Sequence, residues 1–248
     1  MKNSSSSKKK ELMGKDFFSF DDLCTIIEIL RGKDGCPWDR EQDHMSIRGN
    51  LIEETYEAVE AIDKADAGLL KEELGDVLMQ VVFHAEMEKE TGSFDIGDVI
   101  NGTCKKLIDR HPHVFSAEGK VDSEEALRNW EKAKNIEKQR KTLSSSLESI
   151  PPSLPALMRA AKMYRKLVSA SDGTCVCTED ILASASEKID AVSRRSSENT
   201  FIDKDRLIGD LLFDVVKLSA ALGTDGEKAL NDVLEEKIRY VREAEKIE

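Results

Sequence analysis

The residues best placed to do chemistry in this chain are four acids in two pairs. Glu54 and Glu57 are three residues apart, and so are Glu73 and Asp76. On a helix, that spacing puts both members of a pair on one face. From Leu74 to Met87 the only polar side chains are Asp76, Gln80, His84 and Glu86. One apolar stripe runs through Leu70, Leu74, Val77, Leu78, Val81, Val82 and Ala85. Met79, Phe83 and Met87 lie on a second side, which Glu73 and Asp76 share. Acids in such surroundings need a partner, because an unpaired buried carboxylate is costly. The preceding segment has its own stripe of Leu51, Ile52, Thr55, Tyr56, Val59 and Ile62, with Glu54 and Glu57 off its centre and Glu53 and Glu60 further round. The connection from Asp63 to Gly68 is short, which predicts antiparallel neighbours.

Two such pairs on facing helices would converge four carboxylates. That is an oxygen-rich site for a hard cation such as Mg²⁺ or Mn²⁺. The alternative is a solvated acidic face that only complements the helix dipole. A di-iron bundle is a weaker metal reading, since it requires two Glu-x-x-His motifs. The only such motif is Glu41-Gln42-Asp43-His44. Lys106 and Arg110, four apart, share a helix face and would either meet anionic groups or balance nearby acids.

Composition sets the frame for these residues. The chain has 248 residues, with 37 Lys and Arg against 49 Asp and Glu, for a net charge of −12. Nucleic acid and anionic membrane both demand a basic footprint, so neither is an expected partner. A hydrophobic share of 40% with 35% charged residues fits a folded, helix-rich chain rather than a disordered one. No apolar run reaches the roughly 18 residues of a spanning helix. Residues 1–16 read as a flexible Ser/Lys-rich tail without the apolar core of a signal peptide. The five cysteines are scattered apart from Cys175-Val176-Cys177, which predicts reduced thiols and a cytoplasmic setting.

Helical periodicity dominates the chain, and alternating strand patterns are missing. The pattern predicts an all-α fold of helical hairpins, with helices over 19–31, 45–64, 69–91, 95–110, 122–140, 155–168, 178–195, 203–222 and 225–246. Asp95 and Asp122 are expected N-caps, and Gly92 lies just past the third helix. Three of the five prolines fall at Pro151, Pro152 and Pro155, after a Ser-rich run. The expected organisation is a first helical domain over 17–141, a linker over 142–154 and a second domain over 155–248. Leu74-Gly75-Asp76-Val77-Leu78 is echoed by Ile208-Gly209-Asp210-Leu211-Leu212, so the second part reads as a copy of the first.

Four stretches together resemble the MazG nucleoside triphosphate pyrophosphohydrolases. They are Gly35-Cys36-Pro37-Trp38-Asp39-Arg40-Glu41-Gln42, Leu51-Ile52-Glu53-Glu54-Thr55-Tyr56-Glu57, Glu72-Glu73-Leu74-Gly75-Asp76 and Lys106 to Phe115. The paired acids alone occur across a wider all-α pyrophosphatase superfamily; the Cys-Pro-Trp-Asp and Arg-His-Pro-His-Val-Phe segments are more specific. The resemblance implies Mg²⁺-dependent conversion of a nucleoside triphosphate to its monophosphate and pyrophosphate. It implies metal ligation by Glu54, Glu57, Glu73 and Asp76, with Glu53 as an additional acid of the motif. It places Lys106, Arg110, Trp130 and Lys134 near the nucleotide. It also implies four-helix-bundle-like domains completed by dimerisation into a homodimer. A triphosphate is a polyanion, so bare carboxylates would repel it, and divalent cations reverse that sign. Metal-activated water attacking the α-phosphorus is the chemistry this arrangement suits. Glu53 is a candidate general base, with a salt bridge to a surface lysine as the alternative.

The second part departs from this pattern. Its corresponding positions read Glu187-Lys188-Ile189-Asp190, with Leu207 where the first part has Glu73. Losing a carboxylate weakens a divalent site, so a degenerate, non-catalytic second domain is expected. The competing reading of the chain is a non-enzymatic helical module that binds nucleotide or a partner protein. Base and sugar preference are not written in these motifs.

Overall fold

A computed structural model describes residues 2–116, 121–137, 142–171, 177–195 and 204–246. Among the described residues there are thirteen helices, against nine from the periodicity, and no strand, as the periodicity predicts. The chain divides into two compact units, Met1–Trp130 and Glu131–Glu248.

The first unit holds α1 (Lys2–Met13), α2 (Phe20–Arg31), α3 (Pro37–Glu41), α4 (Arg48–Asp63), α5 (Ala67–Thr91), α6 (Ile96–Arg110) and α7 (Pro112–Phe115), and α8 (Ser123–Glu137) begins in it. The division falls inside α8, ahead of the stretch expected to be the linker. Local chemistry sets the helix ends. Ser19 and Asp22 form a reciprocal capping box that starts α2, and Asp95 and Asp98 do the same for α6. Asp66 caps α5 by accepting from the Gly68 and Leu69 amides. Gly92, with φ of 79°, ends α5 in the left-handed conformation that glycine adopts without strain. Asp122 accepts from the Glu125 amide at the start of α8.

Three stretches carry structure beyond these expectations. The tail over 1–16 is helical across Lys2–Met13, because its lysines have acceptors on the next segments: Lys8 pairs with Glu28 at 3.0 Å and Lys9 donates to the Asp34 carbonyl. The stretch 142–154 contains a helix, α9 (Leu143–Glu148), which Thr142 starts through a capping box with Ser145. The helix expected from residue 45 starts at Arg48, because the Asp43 carboxylate accepts from the Met45 and Ser46 amides and holds a turn there.

The core of the first unit is Ile27, Ile47, Val82, Phe83 and Met87, with Leu23, Leu30, Met79 and Ile96 packed against it. The Met/Phe side of α5 therefore faces inward. Much of the other stripe faces outward, although the sequence pattern reads equally well as core. Leu74, Leu78 and Val81 on α5, and Ile52, Tyr56, Val59 and Ile62 on α4, are all exposed. Between the two helices the buried side chains of α4 are the small Ala58 and Ala61. Arg31 ties the segment after α2 to α5. Its guanidinium bonds Glu90, lies 5.1 Å from the Phe83 ring centroid and donates to the Asp39 and Gln42 carbonyls. Gly35 is required here, since a Cβ would collide with the Leu30 and Ile29 carbonyl oxygens.

The second unit contains α9, α10 (Ala156–Ala170), α11 (Thr178–Arg195), α12 (Lys204–Ala221) and α13 (Gly226–Glu245). Helix α11 packs along α12 as α4 packs along α5. The echo in sequence becomes an echo in exposure. Ile208, Leu212 and Val215 are exposed on α12, in register with Leu74, Leu78 and Val81. Cys175 of the Cys-x-Cys pair lies outside the described residues. Cys177 is a free thiol.

Candidate metal centre

Helices α4 and α5 form a hairpin whose connection closes in three residues. Ala65 there takes a positive φ of 52°, and the Asp66 amide donates to the Ala61 carbonyl. The hairpin brings both acid pairs to one place. Glu54, Glu57 and Glu73 each offer a carboxylate oxygen, and these atoms lie within 4.8 Å of one another. Asp76 is close enough for its charge to act on both Glu54 and Glu73. Glu73 is buried at 8% exposure, Glu54 and Asp76 are half-buried, and Glu57 and Glu53 are exposed.

The electrostatics are those of mutually repelling carboxylates. Burial pushes the Glu54 carboxyl up from its ordinary value, and the charges of Asp76, Glu57 and Glu73 push it further. Burial also raises Glu73, helped by Glu57, Glu72 and Asp76. All these charges are carboxylates. Proteins do not gather like charges at a half-buried point without a stabilising partner. A hard divalent cation takes oxygen ligands of this kind, so the residues present fit one.

The remaining site candidates are placed as follows. Lys106 is exposed on α6. Arg110 ends that helix and is buried, with its guanidinium 5.1 Å from the Trp130 ring centroid. Trp130 is half-buried against that cation. Lys134 belongs to the second unit and lies 3.7 Å from Glu131. His111 closes α6, with its Nδ1 2.6 Å from the Leu107 carbonyl.

Sequence reasoning missed a polar group further along α5. The His44 and His84 rings lie parallel, with their Nδ1 atoms 2.7 Å apart, and His44 Nε2 is 2.7 Å from a Glu88 oxygen. One Nδ1 must donate and the other accept. His84 Nε2 and the buried Gln80 Oε1 have no hydrogen-bond partner. The signal was present: Gln80 and His84 are the only polar residues between Asp76 and Glu86.

A helical hairpin that gathers carboxylates in this way defines an all-α fold with a candidate site for a hard cation. Comparison with known proteins makes the class specific. The MazG nucleotide pyrophosphohydrolase domain family matches residues 42–115, which span α4, α5, α6 and α7. The chain is 41% identical to a nucleoside triphosphate pyrophosphohydrolase of Escherichia coli over 92% of its length and 87% of that protein. It is 39% identical to the nucleoside triphosphate pyrophosphohydrolase/pyrophosphatase MazG of Thermotoga maritima, over 92% of this chain and 86% of the other. It is also 39% identical to YabN of Bacillus subtilis, an uncharacterised protein of which it spans 49%. The chain belongs to the MazG family.

Proposed function

We propose that this protein hydrolyses nucleoside triphosphates to the monophosphate and pyrophosphate at the centre formed by Glu54, Glu57, Glu73 and Asp76. The observation that carries this is the meeting of the acids at one half-buried point, under one another's charge. Mg²⁺, or Mn²⁺ in its place, would be held by those four residues, and would neutralise the polyphosphate and acidify a bound water. Glu53, exposed on the same helix, is assigned as acceptor of the water's proton. Lys106 and Arg110 are assigned to the outer phosphates. Trp130, already faced by the Arg110 guanidinium, and Lys134 are assigned to the nucleotide.

The test is product analysis with and without metal. Pyrophosphate should appear from a nucleoside triphosphate with Mg²⁺, and chelation should stop it. Release of orthophosphate alone would contradict the reaction. Tight nucleotide binding without hydrolysis would support the regulatory module instead.

The exposed stripe of α4 and α5 is assigned to a second copy of the chain. Two helices from each copy complete a four-helix arrangement and bury Ile52, Tyr56, Val59, Leu74, Leu78 and Val81. Sedimentation should give a dimer, and Leu78→Glu should shift it to monomer. The second unit is assigned as a degenerate, non-catalytic domain over 155–248. There Arg206 lies 3.9 Å from Asp210, the counterpart of Asp76, and Leu207 replaces a ligand. We place the protein in the cytoplasm, where free thiols such as Cys24, Cys36, Cys104 and Cys177 persist. No helix among the described residues is long and apolar enough to cross a membrane.

A further inference from the structure

The polar side of α5 that begins with Glu73 does not end at Asp76. Residues 73, 76, 80 and 84 fall on one side of the helix by its period. Gln80 is 6% exposed, and its Oε1 has no hydrogen-bond partner. Helical side chains lean back over the preceding turn, so the Gln80 amide lies toward Asp76 rather than away from it. Leaving such an acceptor buried and unpaired disfavours folding, and replacing it by an apolar group of similar shape removes the penalty. A chain that keeps it has a use for it in another state.

The second unit supplies an internal control. Matching Leu74-Gly75-Asp76 to Ile208-Gly209-Asp210 puts Asp214 at the position of Gln80. Asp214 is 1% exposed and fully partnered: Ser184, Lys188 and Lys217 all donate to it. The same buried polar position is closed by the chain itself in the unit without the acid quartet. It is left open in the unit with the quartet.

We propose that Gln80 reads the nucleobase of the substrate, its Oε1 accepting a hydrogen bond from an exocyclic amino group. This rests on the proposed hydrolysis at the adjacent acids, and it names the part of the substrate that faces away from them. Gln80 lies about 6 Å past Asp76 along the helix axis, at about 1.5 Å per residue. With the phosphates at the acids, the sugar and base extend along α5. His84, one turn further, also has an Nε2 without a hydrogen-bond partner. The His44 segment lies across it, with Nδ1 on Nδ1.

The test compares nucleotides with their des-amino analogues: ATP with purine riboside triphosphate, GTP with ITP, and CTP with its 4-desamino form. The preferred nucleotide should exceed its analogue in kcat/KM by about 10–100-fold, the range expected when a buried acceptor is left unmatched. In Gln80→Met that ratio should fall to about 1, mainly through KM, with Mn²⁺ affinity by calorimetry unchanged. The variant should also melt higher than the parent by about 2–4 °C, because an unpaired acceptor has been removed. An unchanged ratio, a lower melting temperature or a loss of Mn²⁺ binding would each overturn the assignment. Should the parent release no pyrophosphate from any nucleotide, the proposed reaction fails. Calorimetric affinities for each nucleotide and its analogue then decide the subsite separately.

Discussion

Asp76→Asn should cut pyrophosphate release by about 1,000-fold, equivalent to roughly 4 kcal/mol of transition-state stabilisation. The substitution keeps volume and shape but removes a negative charge from the cluster that acts on Glu54 and Glu73. A cation bound there would lose affinity, and the polyphosphate would lose its counter-charge. Folding should be unharmed, because the carboxylates repel one another and removing one relieves that repulsion. The melting temperature in the absence of metal should therefore hold or rise while activity falls. Glu57→Gln should behave similarly, since Glu57 is exposed and contributes to the same three-carboxylate cluster. Activity within about tenfold of the parent in both variants would show that chemistry does not occur at these acids.

Asp214→Ala should produce the largest stability loss, about 3 kcal/mol, confined to the second unit. The carboxylate sits at 1% exposure, with Lys217 at 2.8 Å, Ser184 at 2.8 Å and Lys188 closer still. Removing it leaves two ammonium groups without their partner. Their side chains are about a quarter exposed, so water softens the penalty to the lower end of the usual range. For a unit of this size the transition should fall by roughly 10–20 °C. The pH dependence has a definite sign. Burial alone would raise the Asp214 pKa, but the bonds from Lys188, Lys217 and Ser184 prevail and hold it at about 2, below the ordinary 3.8. Stability from this group is present above pH 3.8 and is lost as pH falls through about 2. Acid titration of the parent should show that segment, and the variant should lack it. Replacing Asp214, Lys188 and Lys217 together with apolar residues should restore much of the loss. An unshifted transition in Asp214→Ala would show that the buried ion pairs do not hold the unit together.

Most of the fold was legible because helices announce themselves locally. Apolar spacing located every long helix after the first, and Asp95, Asp122 and Gly92 mark ends that the structure confirms. What was not legible depends on contacts distant in sequence. The helix over Lys2–Met13 has no apolar residue before Leu12, so periodicity does not announce it, and Lys8 ties it to Glu28. The two sides of α5 are both apolar, so periodicity does not say which faces the core. Packing against Ile27 and Ile47 decides it. The acid cluster could be read from spacing because both pairs sit on one hairpin. The His44–His84 contact joins residues forty positions apart, and nothing in local sequence states that they meet.

The short path between Glu54 and Asp76 has a consequence for how such a centre is inherited. The four acids assigned to the centre lie on two consecutive helices. The centre travels as a cassette. Copying that stretch copies the whole constellation, and one or two codon changes silence a copy without dismantling its scaffold. Helices α11 and α12 keep the packed pair, with Leu207 at the position that matches Glu73. In the second unit the buried Asp214 is held by lysine ammonium groups, those of Lys188 and Lys217.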